Sequence, residues 1–169
     1  MNDRFRLRLS GAAAIAGGVL RIADCFTEGA LSPHTVQIGY WLTDVLLLLG
    51  LLGIYLVRRD ALGWIGLTSF VTCLVGILTI RSTGLFGASN YMIGATALLV
   101  GLSILSVRML AGTGRPRRAA QFAPVCWLIS LALGIAVLVA PGFTWSTTLA
   151  GISFGLGFVL AGLGLVQLE

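Results

Sequence analysis

Six long apolar segments fill almost the whole chain and constrain its fold more than any other feature. About 20 apolar residues are enough for an α-helix to cross the hydrocarbon core of a bilayer. We therefore expect an all-α integral membrane protein, a single domain over residues 1–169 with six transmembrane helices. Arginine, glycine, proline or polar clusters bound the six segments, which lie at about 9–26, 36–57, 61–80, 91–110, 122–140 and 144–166.

The composition excludes a water-soluble fold. Only 10% of the residues are charged and 57% are hydrophobic, and the mean hydropathy is +1.00. Soluble domains carry roughly 25% charged residues, so this chain has too few polar side chains to cover a surface in water. A soluble enzyme and a disordered protein are both ruled out, and the lipid bilayer is the first expected partner.

The positions of the basic residues predict the orientation in the membrane. All eleven are arginines, which is typical of a GC-rich bacterial genome. Nine fall on one side of the six predicted spans, and the positive-inside rule then places both termini in the cytoplasm of a bacterial plasma membrane. The first span has no small-x-small cleavage site and is expected to stay uncleaved. The nine arginines are Arg4, Arg6, Arg8, Arg58, Arg59, Arg108, Arg115, Arg117 and Arg118.

Aromatic residues agree with this orientation. Trp and Tyr are enriched at the two membrane interfaces. The predicted outer group is Tyr40, Trp41, Tyr91 and Trp145, and the predicted inner group is Tyr55, Trp64 and Trp127.

A weak internal similarity suggests duplication. The glycine and alanine pattern at 11–18 recurs at 94–101, and the Trp-Leu pair at 41–42 recurs at 127–128, with offsets of 83 and 86. Three spans per repeat would give two halves of opposite orientation, as in many transporters. Chance similarity in a chain rich in glycine and alanine is the alternative. The repeats would cover 9–80 and 91–166.

Small residues at helical spacing predict how the spans pack. Close backbone approach replaces the hydrophobic effect as the source of helix association in lipid. Gly18, Gly101, Gly151 and Gly155 are the predicted packing residues, so spans one, four and six should be central. The alternative is that glycine is simply common in membrane helices.

Charges inside the spans are the best candidate site. Arg21 lies thirteen residues beyond Arg8, or roughly 20 Å along a helix, so it should lie in the outer third of the bilayer. Asp24 is one turn further out, and Asp44 on the second span reaches a similar depth. Charges at such a depth are costly and usually pair or face water. The candidate residues at the outer mouth are Glu28, His34 and Arg81.

Two interpretations of Arg21, Asp24 and Asp44 stay open. They form either a polar pocket for a small polar or zwitterionic molecule, or a structural ion pair between spans one and two. In the second case the side chains could also extend to the outer headgroups.

The sequence contains no enzyme signature in the structural context that its chemistry needs. The segment 151–155 spells G-x-S-x-G, but a nucleophile elbow needs a strand-turn-helix and a nearby histidine, and this segment lies inside a span. Without lysine there is no P-loop. Cys25, Cys73 and Cys126 are widely spaced and predict no metal site. We expect no catalysis, no cofactor and no metal, and the basic run 115–118 is interpreted as a topology signal with no nucleic-acid partner.

The last third of the chain resembles a known family. Gly134, the turn Pro141-Gly142-x-Thr144, and then Gly155 and Gly162 look like the helical-hairpin repeat of HdeD-type acid-resistance membrane proteins. The whole chain also resembles other six-span bacterial membrane proteins of unassigned role. The resemblance implies a stress-related membrane role with no known catalytic residue.

The first function hypothesis is therefore a non-enzymatic protein that binds or transports a small molecule near the outer face. The second is a structural, accessory or stress-response subunit of a membrane complex. In that role it would use its small-residue faces to contact a second copy or a membrane-protein partner.

Overall fold

A computed structural model describes residues 3–27, 32–82, 90–111, 121–139 and 145–167, and these residues form five α-helices and no strand. Four of the helices, α1, α2, α3 and α5, are long and apolar enough to cross a membrane, and a shorter apolar helix covers Ala123–Val137. The expectation of an all-helical membrane protein is confirmed at this level. The helices are α1 (Asp3–Thr27), α2 (Pro33–Arg81), α3 (Tyr91–Ala111), α4 (Ala123–Val139) and α5 (Trp145–Val166).

Helix α2 covers both the second and the third apolar segments. The sequence pattern placed the connection between them at 58–60, but the helix continues through these residues and is interrupted at Gly63, with φ 57° and ψ −152°. The rings of Tyr55 and Phe70 stack with centroids 4.8 Å apart. In a straight helix these two residues would be about 22 Å apart. Helix α2 therefore bends back at Gly63 into a first arm (33–62) and a second arm (64–81).

Replacing Gly63 with alanine should destabilise this bend. A Cβ at Gly63 would meet nothing within 4 Å, so the expected cost is conformational only. The backbone region that Gly63 adopts is almost exclusive to glycine, and we expect a loss of about 1–3 kcal/mol in the free energy of unfolding. Denaturant titration in detergent measures this free energy. Gly39→Ala is the control, because Gly39 is helical and also has open space around it; equal stability of the two variants would contradict the prediction.

The bundle is arranged as a series of neighbouring helices. Helix α1 packs against α5 and against the first arm of α2, and α4 packs against both α5 and α3. The second arm of α2 packs against α3, where the Cys73 thiol donates a hydrogen bond to the carbonyl oxygen of Leu98. Five large side chains show where the core lies, namely Leu47, Leu51, Leu102, Trp127 and Phe158.

The closest helix contacts are made by glycines. A Cβ at Gly18 would lie 2.5 Å from the carbonyl oxygen of Gly155, and a Cβ at Gly162 would lie 2.5 Å from that of Gly11. These two pairs hold α1 against α5 along two helical turns. Such contacts exclude any side chain at these positions, and they provide the packing energy that lipid does not supply.

Three of the four tryptophans are exposed on the surface of the bundle, and the fourth is not. Trp41, Trp64 and Trp145 are 52%, 81% and 73% exposed, but Trp127 is fully buried. Trp127 is buried because Gly157 of α5 has no side chain, which lets the indole ring lie directly on that helix. Its place near the inner membrane surface stays a prediction.

Candidate functional site

Helix α1 and the first arm of α2 run antiparallel in close contact. A Cβ at Gly50 would lie 2.6 Å from the Cβ of Ala14, and Gly53 faces Ser10 one turn further along. Advancing along α1 therefore means moving back along α2. This alignment of the two helices determines which of their polar residues lie at the same level along the bundle.

The register brings Arg21 level with Thr43. Gly17 lies against Leu47, with 3.0 Å between the position of a Cβ on Gly17 and the backbone nitrogen of Leu47. Arg21 is one turn beyond Gly17 on α1, and Thr43 is one turn before Leu47 on α2. Both are therefore one turn further towards the C-terminal end of α1, on the facing sides of the two helices.

Arg21 also borders α5. Its guanidinium Nη2 is 3.9 Å from the position that a Cβ would take on Gly151. The neighbouring Cys25 thiol lies against Gly151 as well, and it donates a hydrogen bond to the carbonyl oxygen of Arg21 at 3.4 Å. Arg21 is six residues from the end of α1, and Gly151 is six residues from the start of α5, which is about 9 Å in each case. The guanidinium thus lies below the helix ends, where α1, α2 and α5 meet.

The two aspartates are found near the same junction. Asp24 is one turn beyond Arg21, and its Oδ2 atom is buried. Asp44 is adjacent to Thr43 and shares a helix side with the buried residues Leu47 and Leu51, three and seven residues on. Arg21, Asp24 and Asp44 are all partly buried. The fold therefore brings the three sequence-predicted charges to one end of the α1–α2 contact.

Thr43 is a site residue that sequence reasoning missed. Its side chain is only 2% exposed, and its Oγ1 has no hydrogen-bond partner within the described part of the chain. A hydroxyl next to an aspartate in an apolar helix was the available signal. Such residues are common in membrane helices, so only the helix register distinguishes Thr43 from the others. We call Arg21, Asp24, Thr43 and Asp44 the outer polar cluster, after the side of the membrane on which the sequence predicts them.

The residues predicted for the outer mouth do not join this cluster as far as the structure describes them. His34 is exposed at the start of α2, ten residues and about 15 Å before Asp44 along the same helix. Arg81 is the last residue of α2, and its side chain lies outside the described residues. Glu28 lies outside them altogether.

The predicted packing glycines all lie in helix contacts. Gly18 and Gly155 face each other, and Gly151 faces Cys25. A Cβ at Gly101 would lie 2.9 Å from the carbonyl oxygen of Ser69. The surfaces around these glycines are therefore covered by other helices of the same chain.

The G-x-S-x-G segment is part of helix α5. Ser153 donates a hydrogen bond to the carbonyl oxygen of Cys126 at 2.7 Å, and Ser130 donates one to that of Ala150 at 2.9 Å. Both hydroxyls therefore link α4 to α5.

Among the described residues there is no group of three or more His, Cys, Asp or Glu side chains that could hold a metal ion. What the arrangement offers chemically is recognition by charge and hydrogen bonds.

Comparisons with known proteins add no relative to this picture. Neither the protein-family models, nor the curated proteins, nor the solved structures contain a significant match to the chain. The resemblance to HdeD-type proteins stays a prediction. The assignment of function accordingly depends on the outer polar cluster itself.

Proposed function

We propose that this chain is a non-enzymatic, six-span protein of the bacterial plasma membrane that binds or transports a small polar molecule at the outer polar cluster. One arrangement carries the proposal: an arginine, two aspartates and a buried hydroxyl lie within about one helical turn of each other in depth, near the junction of three apolar helices. Ionisable residues at such a depth are expensive to keep in lipid and usually mark a ligand or ion pathway. A structural ion pair would not call for the added buried hydroxyl of Thr43.

The bend of α2 supports the six-span topology. The shorter of its two arms, the second, has 18 residues and would be about 27 Å long, close to the thickness of a bilayer core. The bend follows Arg58 and Arg59, which the positive-inside rule assigns to the cytoplasm. With the short helix α4 counted as a span, the chain crosses six times and both termini are cytoplasmic.

Cysteine labelling tests this topology. In a background with Cys25, Cys73 and Cys126 replaced by alanine, we expect Ser32→Cys to react with a membrane-impermeant maleimide in intact cells. Arg59→Cys should react only after permeabilisation, because it would lie at the cytoplasmic bend. The cytoplasmic control is Gln167→Cys, near the end of the last helix. If Arg59→Cys reacted in intact cells, or failed to react on either side of the membrane, the bend of α2 would not lie at the cytoplasmic surface and the six-span topology would be wrong.

Matched glycine contacts support the inverted repeat. Gly11 contacts Gly162 of α5, and Gly94, which is 83 residues after Gly11, contacts Gly76 of α2. Gly76 is in turn 86 residues before Gly162, the same offset as between the two Trp-Leu pairs. The contact between spans one and six is thus repeated between spans four and three.

A second contact pair follows the same offsets. Gly18 contacts Gly155, and Gly101 contacts Ser69. Gly101 is 83 residues after Gly18, and Gly155 is 86 residues after Ser69. Two pairs related by two fixed offsets favour duplication over chance similarity.

The charges of the outer polar cluster occur in the first half of the proposed repeat and are missing from the matching positions of the second half. The offsets that relate the halves carry Arg21 to Ile104, Asp24 to Val107 and Asp44 to Ser130. The second half therefore has no counterpart of these charges. A site of this kind is reached from the outer face, which favours capture of a ligand from outside the cell.

Native mass spectrometry of the gently solubilised protein tests the proposed function. We expect a reproducible small-molecule adduct that is lost in Arg21→Ala and weakened in Asp44→Asn, because these changes remove charges of the cluster. The matched control is Arg108→Ala, which removes an exposed arginine at the other end of the bundle. If the wild type carried no adduct, or if all variants retained it equally, the cluster would be a structural ion pair.

The same spectra report on the alternative role as an accessory or stress-response subunit. That role was expected to use the faces of Gly18, Gly101, Gly151 and Gly155. All four contact other helices of the same chain, so the surface on which the alternative depended is occupied. A stable homo-oligomer or hetero-complex without a small ligand would nevertheless favour it.

A further inference from the structure

We infer that the ligand of the outer polar cluster is a small primary-amine cation. This inference rests on the proposed function and adds the chemical class of the ligand. It is carried by the net charge of the cluster, by the buried hydroxyl of Thr43 and by the number of hydrogen-bond acceptors.

The net charge favours a monovalent cation. With both carboxylates ionised, Arg21, Asp24 and Asp44 sum to −1. Helix α5, which packs against both α1 and α2, contributes no further charge to the junction, since its described residues include no charged side chain. The charged residue of α3, Arg108, lies in the last turn of that helix, at the other end of the bundle. His34 is exposed at the distant start of α2. Water-poor surroundings strengthen electrostatic interactions, so a bound charge of +1 would be favoured.

Thr43 points to a ligand that forms hydrogen bonds, and the two carboxylates beside it, which only accept when ionised, make a donor the partner that all three groups can share. Its Oγ1 is buried without a partner among the described residues, and it lies on the helix side that faces α1. A buried hydroxyl left unsatisfied is unfavourable. A ligand with an N–H group would remove this cost, because a hydroxyl oxygen accepts hydrogen bonds.

The number of groups fits an ammonium ion better than a metal ion. An ammonium group has three N–H donors, and the cluster offers three acceptor groups, the Asp24 and Asp44 carboxylates and the Thr43 hydroxyl. An ionised carboxylate has about four acceptor positions, so each aspartate can bind the ligand in addition to its existing interactions. Calcium needs six to eight oxygen ligands, and the nearby guanidinium would repel a divalent ion.

Thermal unfolding of the full chain in nanodiscs tests the inference with methylammonium as the probe. Ligand that binds only the folded state raises the Tm in a saturable manner. We expect such a rise with methylammonium chloride, and none with tetramethylammonium, sodium or acetate salts at equal ionic strength. Tetramethylammonium has the same charge and no N–H donor, so it separates hydrogen bonding from charge alone.

Thr43→Val is the decisive variant because it removes the hydroxyl and keeps the shape of the side chain. We expect it to weaken methylammonium binding by about tenfold or more and to leave the Tm without ligand close to that of the wild type. Thr68→Val is the matched control, since its hydroxyl already donates to the carbonyl oxygen of Ile65 and is exposed. Unchanged binding in Thr43→Val would overturn the inference.

Other outcomes separate the inference from the proposed function. If glycine zwitterion or acetate raised the Tm in an Arg21-dependent manner and methylammonium did not, the inference would be wrong and the proposed function would stand. If none of these probes changed the Tm and the native spectra held no adduct, both would fail.

Discussion

Gly18→Leu is expected to separate α1 from α5 and to lower the free energy of unfolding by about 3 kcal/mol or more, at the upper end of the range for overpacked positions. The first atom of the new side chain would already lie 2.5 Å from the carbonyl oxygen of Gly155 and 2.9 Å from a side-chain carbon of Val159. A backbone carbonyl cannot rotate away as a side chain can. The two helices must therefore move apart and lose their shared contacts.

Denaturant titration in detergent measures this loss, and Gly39→Leu is the matched control. Gly39 is also a helical glycine, but no atom lies within 4 Å of the position of its Cβ, so its change should stay within about 0.5 kcal/mol. Gly101→Leu should be as damaging as Gly18→Leu, because a Cβ at Gly101 would lie 2.9 Å from the carbonyl oxygen of Ser69. Wild-type stability in Gly18→Leu would show that α1 and α5 do not cross at Gly155.

Trp127→Ala should be the second severe change, with a loss of about 3–5 kcal/mol. The indole is fully buried, packs edge-on to Phe158 with ring centroids 5.3 Å apart, and lies on the backbone of α5 at Gly157. Removing it leaves a large cavity between α4 and α5. Lipid cannot fill this space without separating the helices.

Two further variants make the Trp127 result specific. Trp127→Phe keeps most of the ring and deletes an indole N–H that has no hydrogen-bond partner among the described residues, so it should cost less than about 1.5 kcal/mol. Trp145→Ala removes a tryptophan that is 73% exposed on the neighbouring helix and should change stability by about 0.5 kcal/mol at most. Similar losses in Trp127→Ala and Trp145→Ala would mean that Trp127 is not part of the core.

The helical class of the protein could be predicted because hydropathy acts through local sequence. Any run of about 20 apolar residues in lipid must satisfy its own backbone hydrogen bonds, and a helix does so within the segment. The end of the second apolar segment could not be placed in the same way. Arg58, Arg59 and Asp60 suggested a connection, but polar residues are compatible with a helix, and the break came at Gly63 where the backbone conformation requires glycine.

The candidate site was predicted in part for a similar reason. Arg21, Asp24 and Asp44 were visible because a charge inside an apolar segment is rare and costly. Thr43 was not, since a threonine carries little cost in a membrane helix when its hydroxyl is bonded. Only the packing of Gly17 against Leu47 places Thr43 level with Arg21 in a buried position.

The sequence by itself was enough to predict a lipid environment, a helical class and an orientation for this protein, because these properties depend on sums over apolar and charged residues. The tertiary structure decided which glycine faces which backbone, why Trp127 is in the core, and which polar side chains share a depth near the C-terminal end of α1. Those outcomes depend on the rotation and register of one helix against another. A shift of one residue would rotate a side chain by about 100°, from the helix contact towards lipid.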